Sequence, residues 1–211
     1  MVSAVKFFSI FSLRSLTVGG ALLLAGCADR DHQLVISVPE QRMALLYRGV
    51  PQAYYPVSTS RFCLSDRPGT YGTPEGELEI SEKIGGGLPA GAVLKNREPT
   101  GEVLPVDAPG RDPVVTRILW LRGLETRNAR AHDRYIYIHG TPEERRIGVP
   151  ASFGCVRMRS RDIITLYDAI GAGAHVFIED KSLADAAGPL LAPGASVPPP
   201  TVPPAASQPG F

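Results

Sequence analysis

A chain of 211 residues with a formal net charge of +1 offers no electrostatic case for nucleic acid, which needs a pronounced cationic surface. Its length suits one domain with a real hydrophobic core. The first element is a targeting segment. Residues 1 to 15 carry Lys6 and Arg14 and no acid, and an apolar run follows from Leu16 to Ala25. That run is too short to span a bilayer, which takes about 20 residues, and its flanks fit a signal peptide.

The segment ends in Leu24-Ala25-Gly26-Cys27, which resembles a bacterial lipobox. That resemblance implies that residues 1–26 are removed and that Cys27 becomes the first mature residue and carries a lipid. Ala28 follows where an aspartate would favour inner-membrane retention, so the expected place is the periplasmic face of a membrane, with the outer membrane favoured. Loss of Lys6 and Arg14 leaves the mature chain still close to neutral.

Residues 27–32 read as a short polar spacer. Gln33 to Val38 alternates weakly and stops at Pro39, as a first strand would, and Gln41 to Tyr47 follows as a second with Arg48-Gly49 as the turn. Tyr54 to Ser60 is a third. Gly76 to Lys83 alternates acidic and apolar residues, the pattern of a half-exposed strand, and the glycine-rich stretch from Gly85 to Gly91 is a loop. Thr116 to Leu121 is strongly apolar. Arg134 to Ile138 alternates and delivers His139 at its end. Helical spacing from Asp162 to Ile170 is closed by Gly171 and Gly173, and Ala174 to Ile178 is a last strand. Beyond Lys181 the composition turns to Ala, Pro, Gly and Ser, so 181–211 is expected to be a disordered or polyproline tail. The expected fold is mostly β, with one short helix after Cys155.

The chemistry concentrates in Ile138-His139-Gly140-Thr141 and Ser152-Phe153-Gly154-Cys155-Val156-Arg157-Met158. A strand end can present an imidazole while a loop returns a thiol to it. A neighbouring imidazole or helix N-terminus supplies thiolate from a group that is mostly protonated at neutral pH. Arg157, two residues on, shares a face with Cys155 if the segment is extended. Cys63 and Cys155 could pair in an oxidising compartment, but a thiol in a Gly-Cys turn near a histidine is better kept free for chemistry. His32, His132 and His175 have no metal-ligand spacing with the cysteines, so no metal is expected. Tyr135 and Tyr137 read as core or groove wall, His132 as loop surface and Cys63 as a small apolar filler.

These two segments closely resemble the L,D-transpeptidase (YkuD-like) active-site motif: a histidine, a loop, then Ser/Thr-x-Gly-Cys and an Arg or Asn two positions on. Tyr55-Pro56-Val57-Ser58-Thr59, Gly72-Thr73-Pro74-Glu75-Gly76 and Ile147-Gly148-Val149-Pro150-Ala151 extend the likeness, which covers about Gln33 to Asp180. It implies a β-sandwich of mixed sheets over 33–180, no cofactor, and acyl transfer on peptidoglycan stem peptides. In that scheme Cys155 attacks, His139 moves the proton and the Gly140 carbonyl holds the other imidazole nitrogen. Ser152 shapes the turn, backbone N–H groups near Gly154 and Cys155 polarise the carbonyl, and Arg157 meets a substrate carboxylate or holds a loop. The chain departs from many members at Phe153, where they carry a second histidine. A hydrolase that lets water resolve the thioester, acting as L,D-carboxypeptidase or crosslink cleaver, is the alternative enzyme. An inactive wall-binding lipoprotein is the alternative of another class.

Overall fold

The computed structural model describes residues 28–199. The signal segment, Cys27 and the end of the tail lie outside the described residues. In chain order the elements are β1 (His32–Ser37), β2 (Arg42–Tyr47), β3 (Val50–Pro56), β4 (Gly76–Ile84), β5 (Ala92–Lys95), β6 (Glu98–Val103), β7 (Val115–Gly123), β8 (Tyr137–Gly140), β9 (Val156–Met158), α1 (Ser160–Ala169), β10 (His175–Glu179) and α2 (Leu183–Ala187).

The strands join in the order β3-β2-β1-β10-β4-β7, and β7 then branches to the β5–β6 hairpin on one side and to β8 and β9 on the other. Two pairs are parallel, β1 with β10 and β8 with β9; the rest are antiparallel, so the sheet is mixed. The chain leaving β3 bridges back to the far edge, Ser58 with Arg157 and Ser60 with Ser152. The two halves therefore face each other across one core, a sandwich made from a sheet that returns on itself.

Register decides which residues enter that core. Leu34, Ile36, Met43 and Leu45 point inward from β1 and β2, where Leu119, Leu121, Ile138, Val156 and Met158 meet them from the opposite half. The intervening Val35, Ala44 and Leu46 face outward and are buried all the same, because Leu183, Ala186 and Ala187 of α2 cover them. Both faces of β1 and β2 are dry, which is why their alternation is weak in sequence. β4 shows the opposite case: Leu78 and Ile80 are fully buried while Glu77 and Glu79 stay partly open to water.

Helix α2 corrects the expected disordered tail over its first turns. Ser182 caps it by accepting from Asp185 N (3.1 Å), Leu183 N donates to Glu40 Oε1 (3.0 Å), and Ser37 Oγ donates to Lys181 O (2.6 Å). The short spacing Leu183, Ala186, Ala187 gives one apolar stripe, enough to dock an alanine-rich helix on a flat sheet face. The expected spacer is corrected too. Asp29 Oδ2 accepts from Gly171 N (2.7 Å) and Asp29 N donates to Ala172 O (2.8 Å), so residues 28–31 are tied to the domain rather than slack.

Other elements depart from the expected pattern as well. The third strand ends at Pro56, and residues 57–60 continue extended but change partners. The β8 strand is shorter than expected and contains His139, because residues 131–136 close a turn in which Tyr135 takes a φ of 57°. The β5–β6 hairpin has no counterpart in the expected elements. Its tip, Asn96-Arg97, has φ of 51° and 70°, as a two-residue turn of twisted strands requires. Helix α1 starts at Ser160, whose N–H donates to Glu144 Oε1 (2.8 Å). It ends where Lys83 Nζ donates to the carbonyls of Tyr167 (2.7 Å) and Ile170 (2.5 Å).

Candidate active site

The parallel pairing of β8 with β9 assembles the site. Register puts His139 opposite Arg157 and Ile138 opposite Val156, so Cys155, just before β9, arrives at the level of Tyr137. Tyr137 N–H donates to the Cys155 sulfur at 3.4 Å, and the thiol donates to Tyr135 O at 3.5 Å. The thiol packs against the Leu94, Ile118, Trp120 and Tyr137 cluster.

The turn that delivers the thiol is built by Ser152. Its Oγ donates to Cys155 O (2.6 Å) and accepts from Gly154 N (3.2 Å). Gly154 has a φ of 123°, where side chains are strained, and a Cβ there would stand 3.1 Å from Gly72 O. Since Gly154 N–H is committed to Ser152, the Cys155 N–H is the better placed of the two expected carbonyl-polarising groups.

His139 is buried, and its Nδ1 lies 2.8 Å from Gly140 O. A carbonyl only accepts, so Nδ1 carries the proton and the Nε2 lone pair is left as a base. Gly140 has no room for a side chain, because a Cβ would stand 2.6 Å from Val115 O. Sγ and the imidazole do not hydrogen-bond to each other in this state. Burial drives the His139 pKa down to about 4, against the pull of the Gly140 carbonyl and Asp112. Burial likewise pushes the Cys155 thiol up to about 11, opposed by the Tyr137 N–H, Arg134 and Arg157. Both groups rest neutral at pH 7.

Arg157 is committed elsewhere than to a substrate carboxylate. Its side chain is only 2% exposed, and Nη1 donates to Asp112 Oδ2 and to Glu143 Oε2 (3.3 Å). Asp112 also accepts from Thr141 Oγ1 (2.6 Å). Of its two expected roles the structure favours holding loops, because the side chain is buried and its Nη1 is shared by two carboxylates from separate loops. Arg134 does similar work on the other side. It pairs with Asp66 (2.9 Å) and donates to Ser65 O and Gly72 O, fixing the loop that Gly154 packs against. Neither Arg134 nor the Asp112–Glu143 pair stood out in sequence, where each is one charge among many on irregular segments.

Phe153 is 54% exposed and belongs to a surface cluster, with ring centroids 5.6 Å from Phe62 and 5.7 Å from Tyr71 and the Arg61 guanidinium 4.4 Å above it. No imidazole replaces it there. Cys63 is exposed, not a core filler, and both described cysteines are free. His132 stacks on Trp120 at 4.1 Å rather than lying loose on the surface, and His175 pairs with Glu77 (2.6 Å). Tyr137 is buried beside the thiol, whereas Tyr135, outside the strand, is 52% exposed and lines the adjoining cavity.

The family model of the L,D-transpeptidase catalytic domain, YkuD, matches residues 31–178. The chain belongs to this family. Among curated proteins none matches the sequence. Solved structures similar to this L,D-transpeptidase domain include an L,D-transpeptidase (residues 123-326) from Xylanimonas cellulosilytica DSM 15894, at 17% identity and TM-score 0.47. It is matched over 72% of this chain and 62% of that one. Another is an L,D-transpeptidase from Mycobacterium smegmatis, at 15% identity and TM-score 0.46, matched over 71% and 58%. A third is L,D-transpeptidase 3 from Mycobacterium tuberculosis in complex with a faropenem-derived adduct, at 19% identity and TM-score 0.44, matched over 71% and 60%. The L,D-transpeptidase domain described here thus spans less than two thirds of each of these chains.

Proposed function

We propose that this chain is a cysteine L,D-transpeptidase acting on peptidoglycan stem peptides. The observation that carries the reading is the β8–β9 register, which sets Cys155 at the level of Tyr137, two positions along the paired strands from His139, whose Nδ1 is fixed by Gly140 O. Family membership supplies the class of reaction.

The thiol attacks the carbonyl at the L-centre of diaminopimelate in a tetrapeptide stem while its proton passes to His139 Nε2. The oxyanion forms within reach of the Cys155 N–H. Collapse breaks the C–N bond, and the imidazolium returns the proton to the departing D-alanine amine. A second amine, from another stem, a D-amino acid or a protein, attacks the thioester, gives its proton to His139 and restores the thiol. No cofactor enters any of these steps.

Intact-protein mass after incubation with a carbapenem tests the nucleophile. One covalent adduct is expected, absent in Cys155→Ala; an unmodified wild-type chain would refute the active-enzyme reading and leave a wall-binding protein. Muropeptide analysis of sacculi treated with the enzyme tests the outcome. New diaminopimelate-to-diaminopimelate crosslinks are expected, whereas shortened stems alone would replace transfer by hydrolysis.

The Leu24-Ala25-Gly26-Cys27 sequence supports a lipid anchor at Cys27 that holds the domain at the periplasmic face of a membrane, with the outer membrane favoured by Ala28. Because Asp29 is bonded to residues 171 and 172, such an anchor would keep that edge of the domain close to the bilayer. Metabolic labelling with an alkynyl fatty acid should mark the wild type and not Cys27→Ala. Absence of label from the wild type would end the proposal.

A further inference from the structure

With Arg157 buried against Asp112 and Glu143, the cation that lines the cavity next to Tyr137, whose N–H holds the Cys155 sulfur, is Arg97. It stands at the tip of the β5–β6 hairpin, half-buried, on the wall of a cavity of about 600 Å³ that Tyr135 and Tyr137 also line. Its guanidinium lies 4.7 Å above the Trp120 ring and 5.2 Å above the Tyr135 ring. Such stacking fixes the planar fork without using its in-plane donors. Nη1 is 3.5 Å from the Tyr137 hydroxyl, a long contact that leaves the donors free. Glu82 is near enough to favour the charge, but among the described residues no carboxylate forms an ion pair with Arg97.

Tyr137 measures the distance to the chemistry. Its backbone N–H holds the Cys155 sulfur and its hydroxyl faces Arg97, so thiol and guanidinium are separated by about one tyrosine side chain. A carboxylate on the leaving D-alanine is too close to the scissile carbonyl to span that gap. The distal carboxylate of diaminopimelate, carried past three methylenes on the second α-carbon, has the matching reach.

We propose that Arg97 binds the distal carboxylate of the acyl-donor diaminopimelate residue while Cys155 attacks the carbonyl at its other end, making Arg97 a specificity residue. This rests on the transpeptidase reading above. The hairpin then serves as the wall that selects an anionic donor side chain, and its exposed outer strand β6 carries the tip without adding to the core.

Release of the terminal residue from three synthetic tetrapeptide stems tests it, one unmodified, one with the distal carboxylate amidated, and one with the terminal carboxylate amidated. For the wild type, distal amidation should lower kcat/KM about tenfold, the value of one lost charge-assisted fork, mostly through KM. Arg97→Gln should process unmodified and distally amidated stems alike, and Arg97→Lys should keep part of the preference. Persistence of the full preference in Arg97→Gln would overturn the proposal, as would a preference that follows the terminal carboxylate.

If the wild type processes none of the stems, the transpeptidase reading fails and the diaminopimelate assignment falls with it. The anion site can still be judged by alkylating Cys155 with iodoacetate and iodoacetamide and quantifying the Cys155 peptide. The ratio of the two rates cancels changes in thiol pKa or access. A two- to fivefold lower ratio in Arg97→Gln, roughly what one partly screened charge supplies, keeps Arg97 as a carboxylate-attracting group. An unchanged ratio removes that role as well.

Discussion

His139→Gln is expected to slow acylation of Cys155 at pH 7 by about 10²- to 10⁴-fold, the range of a lost general base. The size follows from the thiol. Burial holds it near 11, so at neutral pH only about one molecule in 10⁴ carries a thiolate, and attack depends on a base that takes the proton as the bond forms. His139 suits that work because burial keeps its pKa near 4: above that value the imidazole is neutral and Nε2 can accept. The pH dependence has a definite sign. Alkylation of the free enzyme by iodoacetamide should rise with pH toward about 11 instead of reaching a plateau in the acid range. A plateau from about pH 5 would mean a preformed thiolate–imidazolium pair and would sink this account. In His139→Gln, alkylation at pH 11 should approach the wild-type rate, since hydroxide then does what the imidazole no longer does. Acylation rates at pH 7 and alkylation rates from pH 5 to 11 separate a lost base from a misfolded site.

The parts of the site that were legible in sequence are those the backbone imposes. Gly140 and Gly154 sit where a Cβ would strike Val115 O and approach Gly72 O, and Ser152 reaches the backbone two and three residues ahead, so local spacing carries the turn. The parts not legible are those made by distant charges. Asp112 stands 45 positions from Arg157, and Arg134 reaches back to Ser65, Asp66 and Gly72, pairings that no periodicity announces. Arg157 was assignable to a motif but not to one role, because the carboxylates that occupy it come from two separate loops. The same holds for secondary structure. Strand β4, wet on one face, alternates in the sequence as it does in the fold. The β5–β6 hairpin escaped because Pro99 and Gly101 weaken its strand pattern and β6 buries no face. Helix α2 escaped because alanine-rich composition resembles a linker until the sheet face beneath it is known.

Arg157→Met is expected to destabilise the domain by about 3 kcal/mol, the low end for breaking a buried ion pair from one side. Two effects compete. Arg157 Nε and Nη2 are buried without partners, so removing them relieves a desolvation cost. Against this, the side chain neutralises Asp112 and Glu143, whose own side chains are 29% and 17% exposed. Arg146 Nη1 still pairs with Glu143 Oε2 (3.2 Å), but Asp112 loses the one ion pair it makes among the described residues, and in a partly dry site that outweighs the relief. Thr141, which donates to Asp112, and the β8–β9 register that sets His139 opposite Arg157 depend on the same anchor. Urea denaturation should therefore show a lower midpoint with an unchanged slope. Adding Asp112→Asn and Glu143→Gln to Arg157→Met should recover more than half of the loss, because neutral amides no longer need the cation. A loss below about 1 kcal/mol in the single variant, or no recovery in the triple, would show that the loops are held by other contacts. The same substitution reaches the chemistry through charge alone. Arg157 lowers the His139 pKa and lowers that of Cys155, so its removal should raise both. The base then protonates at higher pH and the thiol ionises later, so the acylation profile of Arg157→Met moves to higher pH while the Cys155 peptide remains modifiable.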